Sequence, residues 1–226
     1  MITHIYFIIH PDYEPDRYES ICTQINMLQL TNYSFFTHTW KHDISQEIYT
    51  QHVKTDKSMK YHGRTIESNP LSNGEVSLFL NYIECLRKIR LTYHEGLFLL
   101  FESDVLFYDN FTENLKSVIN LQQGLEWDII NIGEGVNFDL PKSESVYSSL
   151  HLYKEKRNKC AEGILWNYNG ICRFLDYYEK DCDIDGPIDT KMDVFSEIIE
   201  EFNIYWAHPP LVYQGSTRYK FISHLH

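Results

Sequence analysis

The 226-residue chain has only two alanines, Ala161 and Ala207, and no apolar run approaching the roughly 20 residues that a membrane helix needs. A basic excess is also missing. Twenty Lys and Arg stand against 32 Asp and Glu, for a net charge of −12, which argues against a nucleic-acid partner. The cysteines Cys22, Cys85, Cys160, Cys172 and Cys182 form no CxxC pair, and such an odd, scattered set suits reduced thiols. No basic region precedes the first apolar stretch, so the opening residues do not read as a signal peptide, and the expected location is the cytoplasm. Scarce alanine with abundant Ile, Asn, Tyr and Lys suits an AT-rich genome; a viral protein acting in the host cytoplasm fits that pattern. Three catalytic signatures are absent as well. There is no G-x-S-x-G, no HExxH, and no third glycine to turn Gly133-Glu134-Gly135 into a nucleotide-phosphate loop.

What is present is the composition of a folded domain, 43% hydrophobic and 23% charged. No repeat, low-complexity tract or linker divides it, so a single domain over 1–226 is expected. Residues 5–9 form a short apolar run suited to a buried parallel strand. A polar loop, a helix through Ile21, Ile25, Met27 and Leu28, and a strand over 33–40 follow, giving a βαβ unit. Ser72 and Glu75 have capping-box spacing and start a helix with an apolar face from Val76 to Ile89. Residues 97–101 are the most apolar strand. Further strands are expected at 127–133, 163–168, 204–207 and 211–213. Helices are expected at 111–121 and 171–178 and from Pro187 to Phe202, with 136–159 as loop. The fold class is α/β, a mostly parallel central sheet flanked by helices.

The strongest chemical feature is Glu102-x-Asp104 at the end of that central strand. Side chains two apart on a strand share a face, and ligands of open α/β sheets bind beyond the carboxyl ends of the strands. Two hard oxygen ligands there suit Mg²⁺ or Mn²⁺ completed by substrate phosphates; the bland alternative is a surface turn with two acids. Ten acids against Lys180 and Lys191 between Asp176 and Glu201 read as a solvated helical face. Arg17 in the first loop suits a phosphate contact or an ordinary helix start. Trp40 suits stacking on a base or packing on its loop. His208 suits a metal ligand or a plain strand-end residue.

Four blocks in order resemble glycosyltransferase family 25, the group of bacterial lipooligosaccharide galactosyltransferases and collagen galactosyltransferases. Residues 8–17, ending in Arg17, resemble its INLxxxxxR opening. Residues 71–82, with Gly74 and Glu75, resemble LTxGExGCxLSH. Residues 99–105, with Glu102-Ser103-Asp104, resemble LILEDDV. Pro187-Ile188-Asp189, followed by residues 210–214, resembles PVD…PxLVxQ. Asn81-Tyr82 stand where the family has Ser-His, and Ser103 replaces its middle acid.

The resemblance implies a GT-A-like, Rossmann-like fold and metal-dependent transfer, with inversion, of a hexosyl group such as galactosyl or glucosyl. The donor would be a UDP-sugar and the acceptor a hydroxyl of a glycan or glycoprotein. It implies Mn²⁺ (or Mg²⁺) on Asp104 and Glu102, donor contacts from Arg17, Glu75, Asn81, Tyr82 and Glu102, and Asp189 as the base. Asp193, one helical turn on, is the alternative base. A second reading is a degenerate member that binds nucleotide or glycan without turnover. A third, a metal-dependent phosphohydrolase, would need a second metal and further acids.

Overall fold

The structure is a computed structural model describing residues 1–54, 59–61, 64–66, 70–135, 150–155, 158, 160–181, 183–199, 201–218 and 220–222. In chain order its elements are β1 (His4–Ile8), α1 (Pro15–Leu28), β2 (Tyr33–Phe36), α2 (Gln46–His52), β3 (Met59–Tyr61), β4 (Arg64–Ile66), α3 (Asn73–Thr92), β5 (Leu97–Glu102), β6 (Val105–Phe107), α4 (Phe111–Leu121), β7 (Ile129–Asn131), β8 (His151–Glu155), β9 (Gly163–Asn167), α5 (Tyr168–Asp181), α6 (Ile188–Ile198), β10 (Ile204–His208) and β11 (Val212–Gln214). Seven strands form the main sheet in the order β2-β1-β5-β9-β7-β10-β8. β1 is parallel to both β2 and β5, and β7 is parallel to β10. β9 runs antiparallel to β5 and β7, and β8 antiparallel to β10. The five remaining strands therefore point one way, and the sheet is mostly parallel as expected.

Alternation along β5 explains why it sits inside. Phe98 and Leu100 pack on one side of the sheet, Leu99 and Phe101 on the other, and all four are fully buried. The first side is covered by α3, α5 and α6 through Phe79, Leu86, Phe174 and Phe195. The second is covered by α1 and α4 through Ile21, Ile25, Phe111 and Val118. Burying such a side chain stabilises the fold by about 1.5–3 kcal/mol, and Phe101→Ala would cost about 3–5 kcal/mol.

Several elements differ from their sequence expectations for identifiable reasons. β2 stops at Phe36 rather than running to residue 40, because side chains take over its hydrogen bonds: Thr37 Oγ1 donates to the Ile9 carbonyl, and Asn81 Oδ1 accepts from the His38 amide. α6 ends at Ile198, where Ile199 turns extended and lets Phe202 fold back into the core. Within the expected loop over 136–159, His151–Glu155 is an edge strand; its half-exposed residues carry no apolar run to announce it. The rest of that stretch, save Leu150 and Asn158, lies outside the described residues. The capping box is present as expected, with Ser72 Oγ accepting from the Glu75 amide and the Glu75 carboxylate accepting from the Ser72 amide. No described helix is long and apolar enough to cross a membrane.

Candidate functional site

A cleft of about 580 Å³, counting its open mouth, lies across the carboxyl ends of β1, β2 and β5. The chain leaves β1 toward β2 on one side and toward β5 on the other, so this is the switch point where parallel α/β sheets leave a crevice. Its floor is built from two loops.

The first is the β1–α1 loop. The amides of Tyr13 and Glu14 return to the His10 carbonyl at 3.1 and 2.9 Å, closing a turn, and Pro15 starts α1. Glu14 holds the N-cap position without capping the helix. Its carboxylate instead accepts from the His10 amide at 3.1 Å, Arg17 Nη1 at 3.1 Å and Ser103 Oγ at 2.7 Å. Arg17 Nη1 also reaches Ser103 Oγ at 2.6 Å. All three side chains are buried, which ties the N-terminal loop to the acidic turn. Arg17 Nη2 donates to the Ile222 carbonyl at 2.5 Å. Arg17 Nε is buried without a hydrogen-bond partner.

The second loop is the turn Glu102-Ser103-Asp104 between β5 and β6. Glu102 titrates well above the usual carboxylate range, first because it is buried and then because Asp104, Glu162 and Asp189 stand near it; Arg17 opposes this. Asp104 is only 3% exposed. Its Oδ2 accepts from the Ser216 amide at 3.2 Å and its main-chain oxygen from the Gly215 amide at 2.8 Å. Its Oδ1 has no hydrogen-bond partner.

The other expected residues occupy varied places. Asn81 lines the cleft but is saturated. Its Nδ2 donates to the Thr39 and Ser77 carbonyls at 2.6 and 2.7 Å, and its Oδ1 accepts from the His38 amide at 2.5 Å. It clamps the loop after β2 onto α3. Tyr82 is fully buried in the core, its hydroxyl 3.5 Å from Trp166 Nε1, and does not line the cleft. Glu75 is engaged in the capping box. Asp189 is half-buried in the first turn of α6, outside the cleft lining, and its Oδ1 accepts from the Thr190 amide at 2.8 Å. Burial raises the Asp189 pKa above the ordinary aspartate value; the Thr190 amide opposes the rise, and Glu75 adds to it.

Trp40 lines the cleft beside Tyr13, their rings parallel within 5° and 5.6 Å apart, with His10 tilted against both. His208 ends β10 on the far side of the sheet, paired in register with His151. The acidic run is not simply a solvated face. Asp183 is buried and pairs with Lys54 at 2.6 Å, Asp185 pairs with buried Lys191 at 2.8 Å, and buried Asp193 accepts from the Asn158 amide.

Two functional candidates escaped the sequence reading. Glu14 stands in the polar loop after β1, and its spacing of three from Arg17 is the available signal. Glu162 immediately precedes β9, and its main-chain oxygen accepts from the Glu102 amide, so the two acids are cross-strand neighbours. The Glu162 carboxylate accepts from the Gly135 amide at 2.7 Å and fills the space where a Cβ on Gly133 would sit. The glycine pair thus cradles a carboxylate. Among the described residues no group of three or more His, Cys, Asp and Glu is arranged to hold a metal ion. No protein-family model and no curated protein matches the chain.

Proposed function

We propose that the chain is a glycosyltransferase of the GT-A type, moving a sugar from a UDP-sugar donor to a hydroxyl of a glycan or protein-linked acceptor. One observation carries the reading. In a single cleft at the strand ends, a buried acceptor atom, Asp104 Oδ1, and a buried donor atom, Arg17 Nε, both lack partners. Unmet buried polar atoms are costly. A ligand bringing both a cation and anionic oxygens, as a metal diphosphate does, satisfies both.

Asp104 and Glu102 fit Mn²⁺ or Mg²⁺, since hard carboxylate oxygens suit these ions and a diphosphate completes their shell. When bound, such an ion neutralises charge developing on the leaving diphosphate. Arg17, oriented by Glu14 and Ser103, donates to the phosphate oxygens. The parallel Tyr13 and Trp40 rings at the mouth offer a face to a nucleobase. Asp189 takes the proton from the acceptor hydroxyl, and the burial that raises its pKa brings it closer to a base's working range. The mostly parallel sheet supports the GT-A assignment, and the four resembling blocks support the family.

The test is a panel of UDP-sugars assayed for donor hydrolysis and transfer, with MnCl₂ and with EDTA. Turnover of at least one donor that EDTA abolishes is the expected result. Turnover of none, with UDP failing to bind by calorimetry, overturns the reading. A second reading, a binding module without turnover, is favoured by the saturated Asn81 and the core position of Tyr82. Calorimetric UDP binding with no turnover for any donor would select it.

A further inference from the structure

Arg17 has three places for hydrogen-bond partners, and they are filled unequally. Nη1 is locked by Glu14 and Ser103, Nε has no partner, and Nη2 holds the Ile222 carbonyl at 2.5 Å. The residue carrying that carbonyl is weakly anchored, for the Ile222 side chain is 82% exposed. Its neighbours hold it there. The Phe221 ring lies 5.7 Å from the Arg17 guanidinium and sits where a Cβ on Gly215 would be. The Lys220 amide donates to the Gly215 carbonyl at 2.9 Å, and Lys220 Nζ reaches Ser20 Oγ at 3.3 Å. Gly215 and Ser216 in turn bond to Asp104. One short segment therefore contacts both Arg17 and Asp104 on the cleft floor.

We infer that the Ile222 carbonyl occupies the place of an anionic ligand oxygen, and that binding of a phosphate-bearing ligand to Arg17 releases residues 220–222 from the cleft. The exchange is oxygen for oxygen. A main-chain carbonyl carries a partial charge, whereas a phosphate oxygen carries a formal one, and charge-assisted bonds to guanidinium are roughly twice as strong as neutral ones. Nε, adjacent to Nη2 on the same edge, lets the incoming phosphate bind in a fork that a single carbonyl cannot match. The segment then acts as a removable cap that satisfies Arg17 while no ligand is bound. The choice of ligand class rests on the proposed diphosphate reading; the displacement itself needs only an anion.

The test is amide hydrogen exchange of the full chain, read at Lys220, with inorganic pyrophosphate plus MgCl₂ and separately with UDP plus MnCl₂. Either probe that binds Arg17 should speed Lys220 exchange by about 10-fold, since the cap's local stability sets that rate. Phe221→Ala should tighten pyrophosphate binding by about 3-fold or more, because a competing internal contact is weakened. Arg17→Lys, which keeps the charge but loses the fork, should abolish the pyrophosphate-induced change. Release by pyrophosphate but not by UDP supports the cap and counts against the nucleotide-sugar reading. Slower Lys220 exchange on binding would show that the segment closes over the ligand, and it overturns the inference. So does unchanged or weaker pyrophosphate binding in Phe221→Ala, or failure of both probes to alter Lys220.

Discussion

Two buried aspartates at opposite ends of the main sheet have opposite fates. Asp128, at the amino end of β7, is fully buried, yet both its oxygens are used. Oδ1 accepts from Arg173 Nε at 2.8 Å and pairs with Nη2 at 2.6 Å, while Oδ2 accepts from the Asn203 amide at 2.7 Å. Asp104, past the carboxyl end of β5, is almost as buried but keeps only the Ser216 amide on Oδ2, and nothing on Oδ1. The amino end spends its carboxylate on joining α5 and the approach to β10 to the sheet. The carboxyl end leaves one short of partners, and burial together with the nearby Asp104, Glu162 and Asp189 makes ionisation of Glu102 beside it costly. A satisfied buried charge marks structure; an unsatisfied one in a cleft marks a place prepared for something else.

Substitutions sharpen the contrast. The largest effect is expected at Asp189. Asp189→Asn should lower transfer by ~10²–10⁴-fold with donor affinity little changed, as loss of a general base does; turnover and calorimetric UDP binding measure the two. Asp193→Asn should instead loosen the fold, since Asp193 is tied to the Asn158 amide. If Asp193→Asn alone abolishes transfer in a fully folded protein, the roles are reversed.

Asp104→Ala is expected next, at roughly 10²–10³-fold in turnover, the scale of losing one charge-stabilising group. Its stability should change by only about 1 kcal/mol, the worth of a single hydrogen bond. A large shift in the urea midpoint would make Asp104 a structural residue like Asp128. Asp128→Ala should do the reverse. It leaves the Asn203 amide unmet and Arg173, already partly exposed, without its partner, costing about 2–3 kcal/mol, with activity per folded molecule unchanged.

The smallest effect concerns pH. The folded pKa of Glu102 is raised, so its contribution to stability is intact below the unfolded value of about 4.3. It is lost as pH climbs through the folded value. Glu102→Gln should therefore unfold at a higher urea concentration than wild type near pH 8, by about 1 kcal/mol, and the gap should close near pH 4. A constant offset at all pH values would place the effect in packing rather than ionisation.

Much of this was legible from the chain itself because the signals were local. The run at 97–101, the Ser72–Glu75 cap and the helix over Phe111–Leu121 depend on neighbours in sequence, and each stands where its pattern puts it. The i, i+2 carboxylates at Glu102 and Asp104 fell at a strand end because β5 was readable. Tyr82 misled because a motif drew attention away from its spacing: with Phe79, Ile83 and Leu86 it continues the buried stripe of α3. Glu14, Glu162 and the filled valences of Asn81 were not legible. Each has at least one decisive partner distant in sequence (Ser103 for Glu14, Glu102 for Glu162, His38 and Thr39 for Asn81), and no local pattern announces it.

The span of those partnerships bears on how the protein is made. Arg17 meets Ser103 across 86 residues and Ile222 across 205. Contacts so distant in sequence close late, because the chain entropy of the intervening loop must be overcome first. During synthesis the helix bearing Arg17 emerges early with only the neighbouring Glu14 as a partner; it waits for Ser103 until β5 and its turn have left the ribosome, and for its last partner until residue 222 has followed. The cleft is thus among the final features to be assembled, and a chain stalled before that point presents an incomplete cleft floor to whatever chaperone attends it.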